Sequence, residues 1–422
     1  MKALVVTPFY PLPIRSGGHA RIANLVKYLG RQHQIDMLSL VTPEHSREAP
    51  ELEGLARPAE KIFCKQNHTL AARVQEALAP AKWPRTFRRI VDRLVLRMPH
   101  EAVRYYQPDF VRRLQSLASE GGYDIIQFEF TAMGGRFVPM VKTLAPDSAL
   151  TVEEIDIAYV YLDRLMREEK DPHRKRYLEG EMNKMIPFEK RLWKEADAII
   201  AMSDADRDHI SRHVQAEKVW SVPNGVDTEY FAYQPRKPKG RQRLLFVGYY
   251  QHPPNLQALE YFLGEIYPRL RQRYPQLGLD IIGDAAPAAI KARHGKDGIA
   301  LHGYVPDIRP LMAQATVLAA SIRSGGGTRL KMLEAFAAGL PIIATSLAIE
   351  GIDVRPGEHV FVGDTAEEYF AAACRALDDP AGAVEIAMNA RKQIERFYSW
   401  QVICQQLEKA WNHARERKYA HA

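Results

Sequence analysis

Residues 324–341 read SGGGTRLKMLEAFAAGLP, and this stretch decides the fold. Three successive glycines follow an apolar run at residues 316–320 and precede a helical segment, which ends in Gly-Leu-Pro before the next apolar run at 341–344. Glycine lets the backbone approach a ligand closely, and the free amides at a helix start attract anions. The stretch therefore predicts a strand–turn–helix unit with an anion site where the helix begins.

Polar side chains cluster at the start of this predicted helix. Thr328 is the expected N-cap, and Arg329 in the first turn can reach back toward a phosphate. Lys331 and Glu334 share one flank of the helix, which predicts a diphosphate site with a carboxylate further along. The alternative is an ordinary surface pair beside an empty loop. The predicted buried stripe consists of Leu330, Leu333 and Ala337.

Apolar runs alternate with helical patterns along the chain, which predicts an α/β fold with parallel sheets. Strands are expected at residues 3–7, 35–41, 124–128, 149–152, 197–201, 218–222, 244–247, 279–282, 300–302, 316–320, 341–344 and 359–362. The pattern lapses at 225–242, the predicted linker. Two Rossmann-like, doubly wound domains are expected at 1–224 and 243–395, with a helix in 396–422 returning toward the first. Their ligands are expected in a cleft, at the strand ends.

Composition narrows the class of protein. The 422-residue chain carries a net charge of +7, which favours anionic partners, but no nucleic-acid recognition motif accompanies it. Its three cysteines, Cys64, Cys374 and Cys404, are far apart, so neither a disulfide framework nor a thiolate metal site is expected. With no signal peptide and no apolar run of membrane-spanning length, the expected location is the cytoplasm, including the inner face of the membrane.

Three motifs together resemble a known family. They are GGGTRLKMLEAFAAGLPIIAT at 325–345, VPNGVD at 222–227, and the Ser-Gly-Gly-His loop at 16–19. In combination they resemble the retaining GT-B glycosyltransferases of family 4, or group 1, especially members that build bacterial exopolysaccharide or lipopolysaccharide. The resemblance implies transfer of a sugar, without metal or cofactor, from a nucleotide-diphosphate sugar to a glycan or lipid-diphosphate acceptor.

The resemblance implies specific roles on the donor side. Glu334 matches the second glutamate of the family's E-x7-E motif, which binds the donor ribose, whereas the first glutamate is replaced by Gly326. Relatives carry Gly-Arg and a later lysine after the strand at 244–247, but this chain continues Gly248-Tyr-Tyr-Gln, so Arg329 and Lys331 are expected to supply the charge. These two cations and Glu334 are the predicted catalytic residues. The predicted donor site comprises Gly17, Gly18, Gly248, Gly325, Gly326, Gly327, Thr328, Arg329, Lys331 and Glu334.

The acceptor side is expected in the N-terminal half. His19 follows the glycine turn that faces the diphosphate in relatives, and it is either a ligand contact or a solvated residue. Glu129, Glu153 and Glu154 follow predicted strands where many relatives carry His with Asp or Asn. These carboxylates are candidates to orient acceptor hydroxyls or to act as a base; the alternative is that they are simply solvated.

The sequence leaves two questions open. The arginine-rich stretch from Trp83 to Arg113 is amphipathic, so it predicts either a membrane-surface helix or a helix packed on the domain. The departures at Gly326 and after Gly248 also leave room for a catalytically degenerate GT-B partner protein in a polysaccharide assembly complex. A GT-B-fold nucleotide-sugar epimerase is the enzymatic alternative.

Overall fold

The structure is a computed structural model that describes residues 1–14, 16–41, 50–63, 98–233, 241–325 and 328–420. The chain forms two units, one of Met1–Pro223 with Cys404–Ala422 and one of Asn224–Ile403. The predicted linker starts at residue 225, two residues after Pro223, where the N-terminal segment of the first unit ends. Residues 234–240 of this linker lie outside the described part of the chain.

The first unit has a seven-stranded parallel sheet within its described residues, in the order β3-β2-β1-β4-β5-β6-β7. The strands are β1 Lys2–Thr7, β2 Gln34–Val41, β3 Glu60–Phe63, β4 Ile125–Glu129, β5 Ala149–Glu154, β6 Ala198–Ala201 and β7 Val219–Ser221. The helices are α1 Gly17–Leu29, α2 His100–Arg104, α3 Pro108–Glu120, α4 Thr131–Leu144, α5 Ala158–Glu168, α6 Pro172–Glu195 and α7 Asp204–Ser211. The central strands are buried almost throughout, as expected of a sheet with helices on both faces.

The second unit has a six-stranded parallel sheet within its described residues, in the order β10-β9-β8-β11-β12-β13. The strands are β8 Arg243–Val247, β9 Gly278–Ile282, β10 Ile299–Gly303, β11 Val317–Ala320, β12 Ile342–Ala344 and β13 Phe361–Val362. The helices are α8 Pro253–Tyr261, continued by a π turn over Phe262–Ile266, α9 Tyr267–Arg273, α10 Ala288–Lys291, α11 Arg309–Gln314, α12 Leu330–Ala337, α13 Ala366–Asp378 and α14 Pro380–Phe397. These two sheets confirm the predicted class of two Rossmann-like parallel-sheet domains.

Each sheet reverses its strand order once. The reversal lies between β1 and β4 in the first unit and between β8 and β11 in the second. Successive connections leave such a point on opposite faces, and ligands of doubly wound sheets bind there, beyond the carboxyl ends of the strands. Gly248 follows β8, and Gly325, Arg329, Lys331 and Glu334 follow β11, so the predicted donor residues that the structure describes in this unit flank the switch point of the second sheet.

The last helix, α15, runs over Trp400–Ala420, within the predicted range, and most of it belongs to the first unit. Ile403, Leu407 and Trp411 are buried and form its apolar face. Trp411 Nε1 donates a hydrogen bond of 2.6 Å to Gln127 Oε1 on β4. Thus the end of the chain is part of the N-terminal unit's core.

Two predictions need correction or comment. Thr328 is not the N-cap: α12 begins at Leu330 after an extended Arg329 (φ −89°, ψ 104°), and no side chain caps it. The helix is eight residues long. Strand β3 was not predicted, since it is a four-residue edge strand with charged residues at its start.

Of the basic stretch from Trp83 to Arg113, the structure describes residues 98–113, and residues 83–97 lie outside the described part of the chain. The described residues of the stretch include the start of α3, which buries Phe110 in the first unit's core, while Arg113 pairs with Glu60 on β3. No helix among the described residues is long and apolar enough to span a membrane. Association of residues 83–97 with a membrane surface stays a prediction.

Candidate functional site

Lys331 lies at the switch point of the second sheet. Its Nζ donates hydrogen bonds to the backbone oxygen of Val247, at the end of β8 (2.9 Å), and to Asn255 Oδ1 near the start of α8 (3.0 Å). Both acceptors are neutral. Burial, followed by the charge of Arg329, lowers the pKa of Lys331 to about 8, with Glu334 opposing the shift. The site thus holds a partly desolvated ammonium beside the loop where relatives carry their cations.

Glu334 lies one turn further along α12 and is partly buried. Burial raises its pKa to about 7, and the nearby Lys331 charge opposes that rise. Among the described residues, no group donates a hydrogen bond to the Glu334 carboxylate or forms an ion pair with it. A desolvated carboxylate without a donor is suited to accept hydrogen bonds from a ligand's hydroxyl groups.

Arg329 occupies the position just before α12. Its guanidinium donates a hydrogen bond of 3.3 Å to the backbone oxygen of Gly325, so it lies against the glycine loop. Burial lowers its pKa, and the charge of Glu350 opposes the shift. The structure therefore places Arg329 just before α12 and Lys331 and Glu334 on it, and their role in donor binding stays a prediction.

The glycine loop packs on the start of α8. Gly325 has a φ of +88°, and a Cβ there would lie 3.1 Å from Pro254 Cγ. Ser324 Oγ donates a hydrogen bond of 2.8 Å to Gln257 Oε1. These contacts join the loop after β11 to α8. The predicted residues Gly326 and Gly327 lie outside the described residues.

Gly248 begins the loop after β8, next to the loop after β9. Its amide donates to the backbone oxygen of Ile282 (3.0 Å), and its own carbonyl oxygen lies only 1.6 Å from where a Cβ on Gly283 would be. Gly283 also has a φ of +136°. Only glycine fits this position, and sequence analysis did not single it out.

The predicted glycine turn of the first unit starts α1. Ser16 Oγ caps the helix by accepting the amide of His19 (3.4 Å). Gly18 lies over two aromatic rings, because a Cβ there would be 3.3 Å from Phe130 and 3.4 Å from Phe9. The His19 ring stacks on Phe9 with centroids 4.3 Å apart. His19 is thus held by the protein, and a role in binding acceptor stays a prediction.

Glu129 and Glu153 are buried side by side at the ends of β4 and β5. Arg21 donates to Glu153 at 2.7 Å. Burial, followed by the charge of Glu153, raises the pKa of Glu129 well above its ordinary value. Burial alone would raise the pKa of Glu153 too, but the Arg21 charge and the hydrogen bond from Glu129 lower it. These acids have internal partners, and direct contact with an acceptor is untested.

Glu154 faces the other side of β5 and is also buried. It accepts hydrogen bonds from Trp193 Nε1 (2.8 Å) and from Thr131. Burial raises its pKa to about 7, with both donors opposing the shift. The alternative that these acids are solvated at the strand ends is wrong for Glu129, Glu153 and Glu154, since each side chain is at most 1% exposed.

Two family models match the chain, one on each unit. The model described as Glycosyltransferase Family 4 matches residues 15–230, just over half of the chain. The chain belongs to glycosyltransferase family 4. The model described as Glycosyl transferases group 1 matches residues 241–379, which include Lys331 and Glu334. Both matches agree with the sequence resemblance.

Several other proteins are similar to this family 4 chain in sequence or in structure. It is 29% identical over 234 residues to the phosphatidyl-myo-inositol mannosyltransferase of Mycobacterium tuberculosis, covering 50% of this chain and 58% of that relative. The chain thus matches less than two thirds of the relative's length. Sucrose-phosphate synthase of Thermosynechococcus elongatus superposes over all of both chains with a TM-score of 0.70 at 15% identity. HepE of Anabaena, in complex with UDP-glucose, covers 96% of this chain and 98% of its own, with a TM-score of 0.60 at 15% identity.

These likenesses support a GT-B fold for this family 4 chain. Within its described residues, no cluster of three or more His, Cys, Asp or Glu side chains could hold a metal ion. Sequence reasoning missed Asn255, which holds Lys331, and His252, whose pKa is lowered by partial burial and then by Lys331 and Arg329. Both lie in the loop and helix start after β8, and only the three-dimensional fold brings them to Lys331.

Proposed function

We propose that this protein transfers a sugar from a nucleotide-diphosphate sugar to a glycan or lipid-linked acceptor, with retention, in surface polysaccharide biosynthesis. The supporting observation is the group Arg329, Lys331 and Glu334 at the switch point of the second sheet. Two cations and an unbonded carboxylate along one helix start match the charges of a diphosphate followed by a ribose. HepE, which shares the fold, has a structure in complex with UDP-glucose. The mycobacterial relative is named as a mannosyltransferase that acts on a phosphatidyl-inositol lipid.

The proposed mechanism uses these groups as follows. Arg329 and Lys331 stabilise the negative charge that grows on the diphosphate as the bond from the anomeric carbon to its oxygen breaks. Glu334 accepts hydrogen bonds from the ribose hydroxyls and fixes the donor. The acceptor oxygen forms the new bond to the anomeric carbon on the same face, and its proton passes to the departing diphosphate. No step requires a metal ion, so transfer should persist in EDTA.

The first test is a thermal-shift screen with a panel of nucleotide sugars. A ligand that binds the folded state raises the unfolding temperature by mass action. Glu334→Ala should abolish the shift, whereas the matched control Glu385→Ala, on the exposed side of α14 in the same unit, should keep it. A full shift in the Glu334→Ala protein would contradict the site.

Product analysis separates the alternatives that the sequence left open. A transferase consumes donor and releases nucleoside diphosphate when acceptor is present, and slow donor hydrolysis can occur without it. An epimerase would convert the donor's sugar with no acceptor and no released nucleoside diphosphate. A degenerate partner protein would bind donor but turn over none.

A further inference from the structure

The first unit contains a buried polar chain that joins five parts of its fold. On α1, Arg21 donates from Nη2 to Glu153 Oε1 (2.7 Å) and to the backbone oxygen of Val222 (2.9 Å), and from Nη1 to that of Pro223 (2.8 Å). Val222 and Pro223 are the last residues before the chain leaves this unit. Arg21 is therefore tied at once to the end of β5 and to the chain exit.

The same chain continues across the sheet through β4. Glu129 is the register neighbour of Glu153, and Gln127 Nε2 donates to Glu129 Oε1 at 2.8 Å. Gln127 Oε1 in turn accepts from Trp411 Nε1 on α15. With the neighbouring Glu153 and Glu129 as its middle link, the path runs from the exit segment through α1, β5 and β4 to the C-terminal helix.

Charge balance within this path requires one proton. Arg21 supplies a single positive charge, while Glu129 and Glu153 supply two carboxyl groups, all at most 1% exposed. Glu129 Oε2 and Glu153 Oε2 are both buried. Among the described residues, no amide, guanidinium or hydroxyl group donates a hydrogen bond to either oxygen. A proton on Glu129, donated to Glu153, satisfies both oxygens and leaves the group neutral.

We infer that Arg21, Glu153 and a protonated Glu129 form an electroneutral positioning network that fixes the first turn of α1 against the sheet ends and the chain exit. The raised pKa of Glu129 and the lowered pKa of Glu153 agree with this arrangement. Among the described residues, the polar or titratable groups beside it include Gln127 on β4, Thr151 on β5, and Cys404 and Trp411 on α15. Arg21 lies one turn beyond Gly17 and Gly18, so its anchor holds the turn that the family resemblance places near the substrates.

The shared proton is tested by unfolding temperature as a function of pH. Glu129→Gln mimics the protonated acid, so it should fold normally and unfold close to wild type near pH 5. In the folded wild type Glu129 keeps its proton, whereas in the unfolded chain the same carboxyl group loses its proton above about pH 4.3. The unfolding temperature of the wild type should therefore fall relative to the Gln variant as pH rises to 9. A difference that does not change with pH, or a Gln variant unfolded at every pH, would overturn the shared proton.

A double variant tests the pairing without relying on any pKa. In Glu153→Gln the remaining Glu129 can ionise and neutralise Arg21, so the loss in unfolding temperature should be partial. In Glu129→Gln with Glu153→Gln the buried Arg21 has lost both carboxylates of the network, so the loss should exceed the sum of the two single losses. Additive losses would contradict the network.

The positioning role rests on the proposed function and is tested separately. Arg21→Lys keeps the charge but cannot make the forked contacts to Glu153 and both backbone oxygens. It should lower kcat/KM for the acceptor at least tenfold and, since Gly17 and Gly18 belong to the predicted donor site, weaken binding of the donor's nucleoside diphosphate as well. An unchanged kcat/KM with a lowered unfolding temperature would mean a structural role only. If wild type shows no transfer at all, the proposed function fails, but the pH and double-variant results still decide the network.

Discussion

Lys331 Nζ on α12 lies 2.9 Å from the backbone oxygen of Val247, 84 residues earlier at the end of β8. This hydrogen bond crosses the switch point of the second sheet, so a lysine from the helix after β11 supplies positive charge to the loop after β8. The family resemblance places cations of other members directly in that loop. The structure thus shows how the same region acquires its charge from a different strand connection.

Loss of the Lys331 charge is expected to weaken donor binding. A hydrogen bond to a charged group contributes about 1.5–3 kcal/mol, so Lys331→Met should raise the Kd for the nucleoside diphosphate of the donor found in the thermal-shift screen roughly 10- to 100-fold. Isothermal titration calorimetry measures this directly. Lys291→Met, an exposed lysine at the end of α10, is the matched control and should bind as wild type. Equal affinities of the two variants would argue against a diphosphate at Lys331.

Donor affinity is expected to peak between pH 7 and pH 8. Below the Glu334 pKa of about 7 the carboxyl takes up a proton and accepts ribose hydroxyls poorly; above the Lys331 pKa of about 8 the amine loses its charge. The Kd for the nucleotide sugar found in the thermal-shift screen, measured from pH 5.5 to 9.5, should rise on both sides. Lys331→Arg should remove the alkaline rise, because arginine stays charged, and Glu334→Gln should remove the acidic one. A flat profile in the wild type would count against both roles.

Gly283 is expected to tolerate no side chain. An alanine Cβ would lie 1.6 Å from the backbone oxygen of Gly248 at a φ of +136°, so Gly283→Ala should lower the free energy of unfolding by about 3 kcal/mol or more and displace the Gly248 loop. Gly264→Ala is the control, since a Cβ there has no neighbour within 4 Å and its effect should stay within about 1 kcal/mol. Urea unfolding of both variants checks this, and similar midpoints would refute it.

The sequence predicted the frame of the donor site better than its details. Periodicity and the glycines located β11, the loop and α12, and the flank shared by Lys331 and Glu334 is a direct consequence of helical geometry. The start of α12 was misplaced because Thr328 has the right chemistry for a cap but lies two residues before the helix. Asn255 could not be paired with Lys331 because that contact exists only across the switch point.

The acidic residues of the first unit show a different limit. Glu129, Glu153 and Glu154 all stand at strand ends, where solvated acids are common, and the local pattern cannot reveal burial. Their burial depends on distant partners, namely Arg21 on α1 and Trp193 on α6. A buried carboxyl is therefore recognisable only once the fold has brought its donors together.

The hydrogen bond of Trp411 is expected to stabilise the first unit. Trp411→Phe leaves Gln127 without its indole donor, which should lower the free energy of unfolding by about 1–3 kcal/mol. Trp220→Phe is a matched control, because among the described residues the buried Trp220 Nε1 has no acceptor to lose. Chemical denaturation of the two variants should separate them by more than 1 kcal/mol. A larger loss in Trp220→Phe would contradict the assignment.

A crystal structure with a bound nucleotide-diphosphate sugar is the most direct test of the proposed donor site. We expect the diphosphate within hydrogen-bonding distance of Lys331 Nζ and of the glycine-loop amides, and a ribose hydroxyl donating to Glu334. A nucleotide bound elsewhere, or a bound donor whose diphosphate lies away from the start of α12, would contradict the account.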